Sequence, residues 1–368
     1  MTNNNYDKIV ALCAGGTGGH LFPALALAKI LQERGYRTVL ISDSRASSLV
    51  DTSDNIELFV VNSATPYQSG IKAKIFSVFA LIKGVFQARK LLKKLKPKSV
   101  IGFGGYPTVP PLLAAKSLSV PILIHDQNAV MGRANRLLSN FAASIATSYD
   151  AVKAIHQKHF YKCVKTGNPL RENVIKAAGI KFPTLEDNNP INILIFGGSQ
   201  GARVLSDVTP QVICDLPSYL KKHVKIIQQA RPEDLDRVKD YYARNEIEAE
   251  IDIFFKDLPE KIAQSHLIIS RSGAMTVAEI CAIGRPSILV PLPSSLDGDQ
   301  SENAIALKKT GGAWIIRQND FTKEKVSGLL IRLLTDRELL VNASSKAKSF
   351  AILNATEKLA DLVEEHSQ

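Results

Sequence analysis

The chain has 368 residues, of which 46 are Lys or Arg and 35 are Asp or Glu, so its formal net charge is +11. Its hydrophobic content of 45% excludes intrinsic disorder. At about 150 residues per domain, its length predicts two domains or slightly more. The positive charge predicts an acidic partner: nucleic acid, a phosphate-bearing small molecule or an anionic membrane surface.

The excess positive charge lies entirely in the first half of the chain. Residues 1–168 contain 21 Lys and Arg against 8 Asp and Glu, a balance of +13. Residues 169–368 contain 25 against 27, a balance of −2. We therefore expect the two halves to contact different partners.

The cysteines and the terminal sequence predict a protein of a reducing compartment. The four cysteines form no C-x-x-C pair and read as buried thiols: Cys13, Cys163, Cys214 and Cys281. No metal-ligand spacing is evident, so no metal is predicted to be required, with loosely bound Mg²⁺ as an open alternative. The N-terminal sequence lacks the pattern of a secretory signal, and no segment has the roughly 20 apolar residues of a spanning helix.

Short β-branched runs alternate with longer helical patterns along almost the whole chain, which is typical of parallel α/β architecture. The first series of predicted strands covers residues 8–13, 38–41, 58–61, 99–101, 122–125, 145–147 and 164–166. The second series covers residues 191–196, 224–228, 251–255, 267–270, 287–290 and 313–316. The polar stretch 181–190 separates them, so we place the linker within residues 168–190.

Each series opens on a buried strand that runs into a glycine-rich turn and then a helix. The two sequences are IVALCAGGTGGH at residues 9–20 and INILIFGGSQGA at residues 191–202. This repetition predicts two Rossmann-like domains, 1–168 and 169–349, with doubly wound parallel sheets that face each other across a cleft. The final helical pattern has no strand after it, and we expect the segment at about 350–368 to pack back on the first domain.

The glycines after each opening strand predict an anion site, because they let backbone N–H groups approach a phosphate at a helix N-terminus. They are Gly15, Gly16, Gly18 and Gly19 in the first half and Gly197, Gly198 and Gly201 in the second. A dinucleotide fingerprint fails because Leu21 occupies its last position, and no G-K-[ST] sequence forms a P-loop. The turns favour a diphosphate carried by something other than nicotinamide; ligand-free turns are the alternative.

A basic segment at residues 71–98 contains nine Lys and Arg and no Asp or Glu. Its apolar residues recur at helical spacing with lysines beside them. The residues concerned are Ile75, Phe79, Ile82, Phe86, Lys72, Lys74 and Lys83. Such a stripe usually faces the core of a protein, but a basic amphipathic surface also fits docking on anionic lipid.

Seven motifs occur in a fixed order along the chain. They are GGTGGHLFPAL at 15–25, GFGGY at 102–106, HDQN at 125–128, TGNPLR at 166–171, GGSQGA at 197–202, RSGAMTVAE at 271–279 and DQSENA at 299–304. Together with the length and the linker position, they resemble the MurG family of N-acetylglucosaminyltransferases. One departure is Asp126, where the family usually has Glu in H-E-Q-N, so the carboxylate has a shorter reach.

The resemblance implies a GT-B hexosyltransferase that requires no cofactor. It implies inverting transfer of N-acetylglucosamine from UDP-N-acetylglucosamine to the 4-hydroxyl of the muramoyl group of undecaprenyl-pyrophosphoryl-MurNAc-pentapeptide (lipid I). The product is lipid II for peptidoglycan synthesis; the first domain binds the acceptor and the second mainly the UDP-sugar. Because the acceptor is anchored in a bilayer, we expect a peripheral protein on the cytoplasmic face of the bacterial inner membrane. Other cell-wall or division proteins are possible further partners.

Inverting transfer needs a base for the attacking hydroxyl and groups that stabilise the departing diphosphate. His20 is the first candidate for the base, because a helix N-terminus disfavours the imidazolium and keeps the ring neutral. A structural or acceptor-binding role is its alternative. Asp126 and His125, at the end of a predicted strand, form an alternative acid/base pair. The residues expected on the acceptor side are Gly15, Gly16, Gly104, Gly105 and Tyr106.

The resemblance also implies a set of contacts to UDP-N-acetylglucosamine. Hydroxyl and backbone groups at the second glycine turn suit the diphosphate, a helix glutamate suits the ribose, and an Asp-Gln pair suits the sugar hydroxyls. One contact, to the uracil, is made by the backbone at Phe255. The complete set is Thr17, Gly18, Gly19, Asn128, Arg171, Ser199, Gln200, Phe255, Ala274, Met275, Thr276, Glu279, Asp299 and Gln300.

Two other functions fit parts of the sequence. A UDP-N-acetylglucosamine 2-epimerase has a similar two-domain fold and uses the same nucleotide sugar, but the GGTGGH and HDQN motifs favour transfer. A nucleic-acid-binding protein fits the positive charge, but the phenylalanines near the basic segment have helical spacing and no nucleic-acid-binding motif is present. We therefore expect no nucleic acid partner.

Overall fold

The computed structural model describes residues 8–48, 50, 55–63, 71–186, 189–198 and 201–368, with the backbone alone at 48 and 71–78. The chain divides into two compact units. Unit 1 consists of Met1–Arg171 and Ile352–Gln368, and unit 2 consists of Glu172–Ala351. The chain therefore leaves unit 1, builds all of unit 2 and returns to complete unit 1.

Unit 1 is built on a seven-stranded parallel sheet with the order β3-β2-β1-β4-β5-β6-β7. Its strands are β1 (Ile9–Cys13), β2 (Arg37–Ser42), β3 (Glu57–Val60), β4 (Ser99–Gly102), β5 (Ile122–Asp126), β6 (Ser144–Thr147) and β7 (Cys163–Lys165). Its α-helices are α1 (Gly18–Glu33), α2 (Ile71–Leu95), α3 (Val109–Ser117), α4 (Arg133–Leu138) and the last helix of the chain, α14 (Ala355–Glu365).

Both faces of this sheet are buried. Successive side chains of a strand point to opposite faces, so Val10 and Leu12 join the core formed with α1 and α14. Ala11 and Cys13 join the core formed with α2, α3 and α4. Burial on two faces explains why the strands read as continuous apolar runs.

Unit 2 is built on a six-stranded parallel sheet with the order β10-β9-β8-β11-β12-β13. Its strands are β8 (Ile191–Phe196), β9 (Val224–Gln229), β10 (Ala249–Asp252), β11 (Leu267–Ser270), β12 (Ser287–Leu289) and β13 (Ala313–Ile315). Its α-helices are α5 (Glu172–Ala178), α6 (Arg203–Cys214), α7 (Ser218–Lys221), α8 (Leu235–Arg244), α9 (Leu258–Gln264), α10 (Ala274–Ile283), α11 (Asp299–Thr310), α12 (Lys323–Thr335) and α13 (Arg337–Phe350).

The two sheets share one strand order. Counted from the first strand of each unit, the order is 3-2-1-4-5-6 in both, with a seventh strand added in unit 1. The repetition seen in the sequence is therefore a repetition of topology. The glycine turns after β1 and β8 lie where the strand order reverses, which is where open α/β sheets bind ligands.

One predicted strand is wrong in its bounds. The strand predicted at 251–255 ends at Asp252, whose carboxylate accepts the Ile253 N–H at 2.6 Å. The side chain of Gln229 then donates to the Ile253 carbonyl at 3.1 Å, so the chain turns out of the sheet. The final helical pattern forms two helices, α13 and α14, with no strand after them. None of the helices in the described ranges is long and apolar enough to cross a bilayer.

Candidate active site

His20 is the third residue of α1 and follows the glycine turn after β1. Thr17 is the N-cap of this helix, and its carbonyl accepts the His20 N–H at 3.0 Å. The Gly15 N–H donates to the Gly104 carbonyl at 3.1 Å, which joins this turn to the turn after β4. The two glycine motifs of unit 1 therefore meet beside one imidazole.

Glycine is required at 104 and 105 for two reasons. Their φ angles are +90° and +79°, in the left-handed region that residues with a Cβ rarely adopt. A Cβ at Gly104 would also lie 3.2 Å from Cε1 of His20, and a Cβ at Gly105 would lie 3.2 Å from Cα of Gly15. The motif thus brings the backbone against the His20 ring, with Tyr106 beginning the next short helix.

His125 lies inside unit 1, behind His20. It is fully buried, with Nε2 at 2.9 Å from the Gly167 carbonyl oxygen and Nδ1 at 3.1 Å from Nε2 of Gln127. Burial lowers the pKa of His125 to about 4, so the ring is neutral near pH 7. Both nitrogens of His125 are engaged in the interior, so the ring is placed to position other groups; its acid/base role stays a prediction.

Asp126 holds the loop that leads from β5 to α4. Its Oδ1 accepts the Asn128 N–H at 3.1 Å, and its Oδ2 accepts the Gly132 N–H and Nδ2 of Asn135, each at 2.9 Å. The residue is only 2% exposed. The carboxylate therefore organises the loop, and the acid/base role of Asp126 stays a prediction. The short side chain suffices because its partners are close in sequence.

We expect His125 to make the protein less stable as the pH falls from about 6.5 to about 4. Between these two pH values the unfolded chain binds a proton at His125 that the folded chain excludes. The free energy of unfolding therefore decreases as the pH is lowered, by up to about 3 kcal/mol at pH 4. Scanning calorimetry should show a steeper loss of Tm on acidification for the wild type than for His125→Gln. His156→Gln, which changes an exposed ring, should follow the wild type; equal slopes for His125→Gln and the wild type would contradict the prediction.

Two of the residues predicted to contact the UDP-sugar, Arg171 and Asn128, also belong to unit 1. The guanidinium of Arg171 lies over the ring of Phe22, 4.6 Å from its centroid, and Phe22 is two residues beyond His20 on α1. Asn128 is half-buried directly after Gln127, at the end of the β5 segment. The structure thus brings Arg171 to the first turns of the helix that carries His20.

In unit 2, Gln229 at the end of β9 organises the second glycine turn. Its Oε1 accepts the Gly197 N–H at 3.0 Å, and its Nε2 donates to the Ile253 carbonyl. Phe255 follows in that segment and is buried, with Nζ of Lys261 5.0 Å from its ring centroid. One amide side chain therefore joins the glycine turn to the segment expected at the uracil.

The rest of this turn is shaped by backbone that favours glycine. Gly198 and Gly201 have φ angles of +80° and +65°. A Cβ at Gly201 would lie 2.8 Å from the side chain of Arg231. Ser199 and Gln200, predicted to hold the diphosphate, lie outside the described residues, and α6 begins shortly after them at Arg203.

The N-termini of α10 and α11 are tied together. Oγ of Ser272 donates to the Gln300 carbonyl at 2.8 Å, and Nδ2 of Asn303 donates to the Ser272 carbonyl at 3.2 Å. Oε1 of Gln300 accepts the Leu292 N–H at 3.0 Å, while its own N–H donates to Oδ1 of Asp299 at 2.6 Å. Two helix N-termini therefore lie at one edge of the sheet, where their dipoles favour an anion.

The first turn of α10 carries the remaining predicted contacts. Gly273 is its N-cap, Ala274 and Met275 are buried, and Thr276 is half-buried. Glu279 lies about one turn further along and is buried. In the described part of the chain, no group of three or more His, Cys, Asp or Glu residues could hold a metal ion.

Several residues of these networks were not predicted as site residues, among them Gln127, Asn135, Gln229 and Arg271. Each holds other groups in place. Arg271, for example, donates to the Val290 carbonyl at 3.0 Å and to Oε1 of Gln318 at 2.6 Å, which joins the segment before α11 to the segment after β13. Gln127 and Arg271 lie within the HDQN and RSGAMTVAE motifs, whereas Asn135 and Gln229 lie outside every motif.

The apolar stripe of the basic segment faces away from the core. Phe79 is 67% exposed, Ile82 47% and Phe86 68%, and Lys83 is also exposed. The opposite face of α2 packs into the core through Ala88 and other apolar residues. The side chains of Lys72, Lys74 and Ile75 lie outside the described part of α2. Large aromatic groups exposed together in this way mark an interaction surface.

Residues 10–147 match the glycosyltransferase family 28 N-terminal domain, and residues 192–365 match the glycosyltransferase family 28 C-terminal domain. Two parallel-sheet α/β domains with these matches define a GT-B glycosyltransferase, as predicted. A relative from Methylorubrum populi is 44% identical over 98% of each chain, and one from Methylobacterium sp. is 47% identical over 98% of this chain and 97% of its own. The chain belongs to the family that both represent, the UDP-N-acetylglucosamine–N-acetylmuramyl-(pentapeptide) pyrophosphoryl-undecaprenol N-acetylglucosamine transferases.

Solved structures agree with this assignment. The crystal structure of MurG from Acinetobacter baumannii is 31% identical, with a TM-score of 0.80 over 97% of this chain and 99% of that one. A UDP-GlcNAc 2-epimerase from Neisseria meningitidis has a TM-score of 0.69 at 14% identity, over 97% of this chain and 100% of that one, and shares the fold alone. The resemblance predicted from the motifs is confirmed.

Proposed function

We propose that this protein transfers N-acetylglucosamine from UDP-N-acetylglucosamine to the 4-hydroxyl of the muramoyl group of lipid I, with inversion, to give lipid II. The observation that carries the proposal is identity of 43–47% over nearly the whole chain to curated transferases of this name. The epimerases share only the fold, so transfer is favoured over epimerisation.

In the proposed reaction, the His20 imidazole takes the proton of the acceptor 4-hydroxyl. The hydroxyl oxygen attacks C1 of the sugar from the face opposite UDP, and the bond from C1 to the diphosphate oxygen breaks with its electron pair on that oxygen. The N–H groups of the second glycine turn and of α10 support this charge, because helix N-termini stabilise anions without reorganising. The proton on His20 then passes to solvent.

The direct test is an assay with labelled UDP-N-acetylglucosamine and a short-chain lipid I analogue. We expect the label to appear in the lipid-linked disaccharide and the inverted β linkage to be seen by NMR. Formation of UDP-N-acetylmannosamine without acceptor, with no labelled disaccharide, would instead identify an epimerase.

Glu279 is proposed to accept hydrogen bonds from both ribose hydroxyls. The substitution Glu279→Gln should raise KM for UDP-N-acetylglucosamine about tenfold and change kcat less, because it removes a charge-assisted contact present in both ground and transition states. A donor lacking the ribose 2′-hydroxyl should lose less affinity in this variant than in the wild type. Glu338→Gln, at an exposed position on α13, is the control. If Glu279→Gln and the wild type discriminated equally against the donor that lacks the 2′-hydroxyl, the ribose contact would be excluded.

We also propose that unit 1 docks on the anionic cytoplasmic face of the bacterial inner membrane through α2. The exposed aromatic side chains of Phe79 and Phe86 suit the interfacial region of a bilayer, and the surrounding cations suit anionic headgroups. The donor is soluble and the proposed acceptor is anchored in lipid, so a surface of this kind on the acceptor-binding unit serves the reaction.

Charge reversal of this surface should weaken membrane binding strongly. In a vesicle flotation assay with phosphatidylglycerol, the combined change of Lys72, Lys74 and Lys83 to Glu should lower partitioning about 100-fold, since each lysine contributes about 1 kcal/mol. The matched control reverses three exposed lysines of unit 2, Lys222, Lys239 and Lys256. Unchanged partitioning of the first variant would contradict docking through α2.

A further inference from the structure

A chain of hydrogen bonds runs from the interior of unit 1 to His20. Nε2 of His125 lies 2.9 Å from the Gly167 carbonyl oxygen. Nε2 of Gln127 lies 3.1 Å from Nδ1 of His125 and 3.0 Å from the Phe103 carbonyl oxygen. Oε1 of Gln127 lies 3.3 Å from Nδ1 of His20. Which atom donates in each of these bonds follows from the groups that the bond joins.

The first bond sets the tautomer of His125. The Gly167 carbonyl can only accept, so Nε2 of His125 carries the hydrogen. The ring is fully buried and neutral, so Nδ1 is left as an acceptor. His125 therefore presents a lone pair to Gln127.

The next two bonds set the orientation of the Gln127 amide. Its nitrogen faces two acceptors, Nδ1 of His125 and the Phe103 carbonyl, and it has two hydrogens to donate. The reversed amide would place its oxygen against both acceptors and lose both bonds, at a buried position where unpaired polar groups are costly. Oε1 is therefore directed at His20 and accepts from it.

We propose that Gln127 is a positioning residue that fixes His20 as the Nδ1–H tautomer, which makes Nε2 the proton-accepting nitrogen. This rests on the proposed role of His20 as the base. A neutral imidazole has two tautomers, and the group bonded to one nitrogen selects which nitrogen is basic. Gln127 performs this selection with a neutral amide, whose own orientation is held by Phe103 and His125.

The direct test is the tautomer of His20 in the wild-type protein. A long-range ¹H–¹⁵N NMR spectrum of protein labelled at its 7 histidines, with His20 assigned by loss of its signals in His20→Gln, distinguishes the protonated nitrogen from the unprotonated one. We expect Nδ1–H at His20 and Nε2–H at His125. A dominant Nε2–H form of His20 would overturn the proposal without bearing on whether His20 is the base, which the activity of His20→Ala decides.

Variants of Gln127 test the consequence for catalysis. Gln127→Met has a similar length but neither donates nor accepts; it should lower kcat about 10- to 100-fold, by analogy with the loss found when a group that orients a metal-bound histidine is removed. KM for UDP-N-acetylglucosamine should stay within about twofold, and His20 should become a mixture of tautomers.

Gln211→Met, an exposed change on α6, is the matched control and should leave both kcat and the His20 spectrum unchanged. A lower kcat in Gln127→Met with the His20 tautomer unaltered would reduce Gln127 to a packing role and overturn the proposal. Full activity in that variant would overturn it as well. If Gln127→Met fails to fold, the wild-type spectrum still decides.

Discussion

Replacing His20 by alanine is expected to lower kcat for transfer about 10³-fold, within the range of 10² to 10⁴ that a positioned general base contributes. The reason is geometric: His20 lies on the first turn of α1, with the backbone of Gly15, Gly104 and Gly105 packed around its ring. His125 behind it is not placed to substitute for this imidazole, because it is buried and bonded at both nitrogens. The measurement is single-turnover transfer to a short-chain lipid I analogue.

The control separates lost chemistry from lost binding or folding. UDP should bind His20→Ala with unchanged affinity by calorimetric titration, because the diphosphate contacts are proposed in unit 2. His223→Ala, at an exposed position of unit 2, should transfer at the wild-type rate. Full transfer activity in His20→Ala would remove His20 from the catalytic role.

Replacing Arg285 by leucine should reduce the free energy of unfolding by about 3 kcal/mol, because charge-assisted hydrogen bonds contribute about 1.5–3 kcal/mol each and part of this is offset by relief of a buried charge. Arg285 is fully buried after α10, and burial lowers its pKa to about 10. It donates to the Ala263 carbonyl at 3.1 Å, the Ile283 carbonyl at 2.7 Å and the Lys181 carbonyl at 2.9 Å. Its loss removes this donor from the buried carbonyls of Ala263 and Ile283.

The single tryptophan of the chain, Trp314, lies in β13, so its fluorescence in urea reports on the unit that contains Arg285. The midpoint for Arg285→Leu should fall well below that of the wild type. Arg244→Leu, where the side chain is 81% exposed beside Asp240, should leave the midpoint nearly unchanged. Equal midpoints for both variants would show that the Arg285 contacts contribute nothing net.

The sheets could be predicted from the sequence because their strands are buried on both faces and bounded by turn residues. The strands 191–196 and 267–270 were predicted to the residue. The error at 251–255 came from Phe254 and Phe255, which continue an apolar pattern after the backbone has left the sheet at Asp252. The bonds made by Asp252 and Gln229 end that strand, and an apolar pattern carries no information about them.

The candidate site was predictable where chemistry lies in short motifs and not where it depends on contacts distant in sequence. His20 and the glycines around it belong to motifs, so their types and spacing are visible. The interior position of His125 depends on Gly167, 42 residues away, and on Gln127. The stripe on α2 posed a different difficulty, since an apolar helical face looks the same in sequence whether it meets core or solvent.

The return of the chain to unit 1 has a consequence for its synthesis. During synthesis on the ribosome, the first 171 residues are made before α14. The apolar side of α1 that packs against α14 therefore stays uncovered until unit 2 has been made. The last residues then bond at the amino ends of two strands, Ser367 to Ser99 at 2.7 Å and His366 to Ser144 at 2.8 Å, at the opposite edge of the sheet from His20. The unit that holds His20 is therefore the last part of the chain to be completed, although its first strand is made before any strand of unit 2.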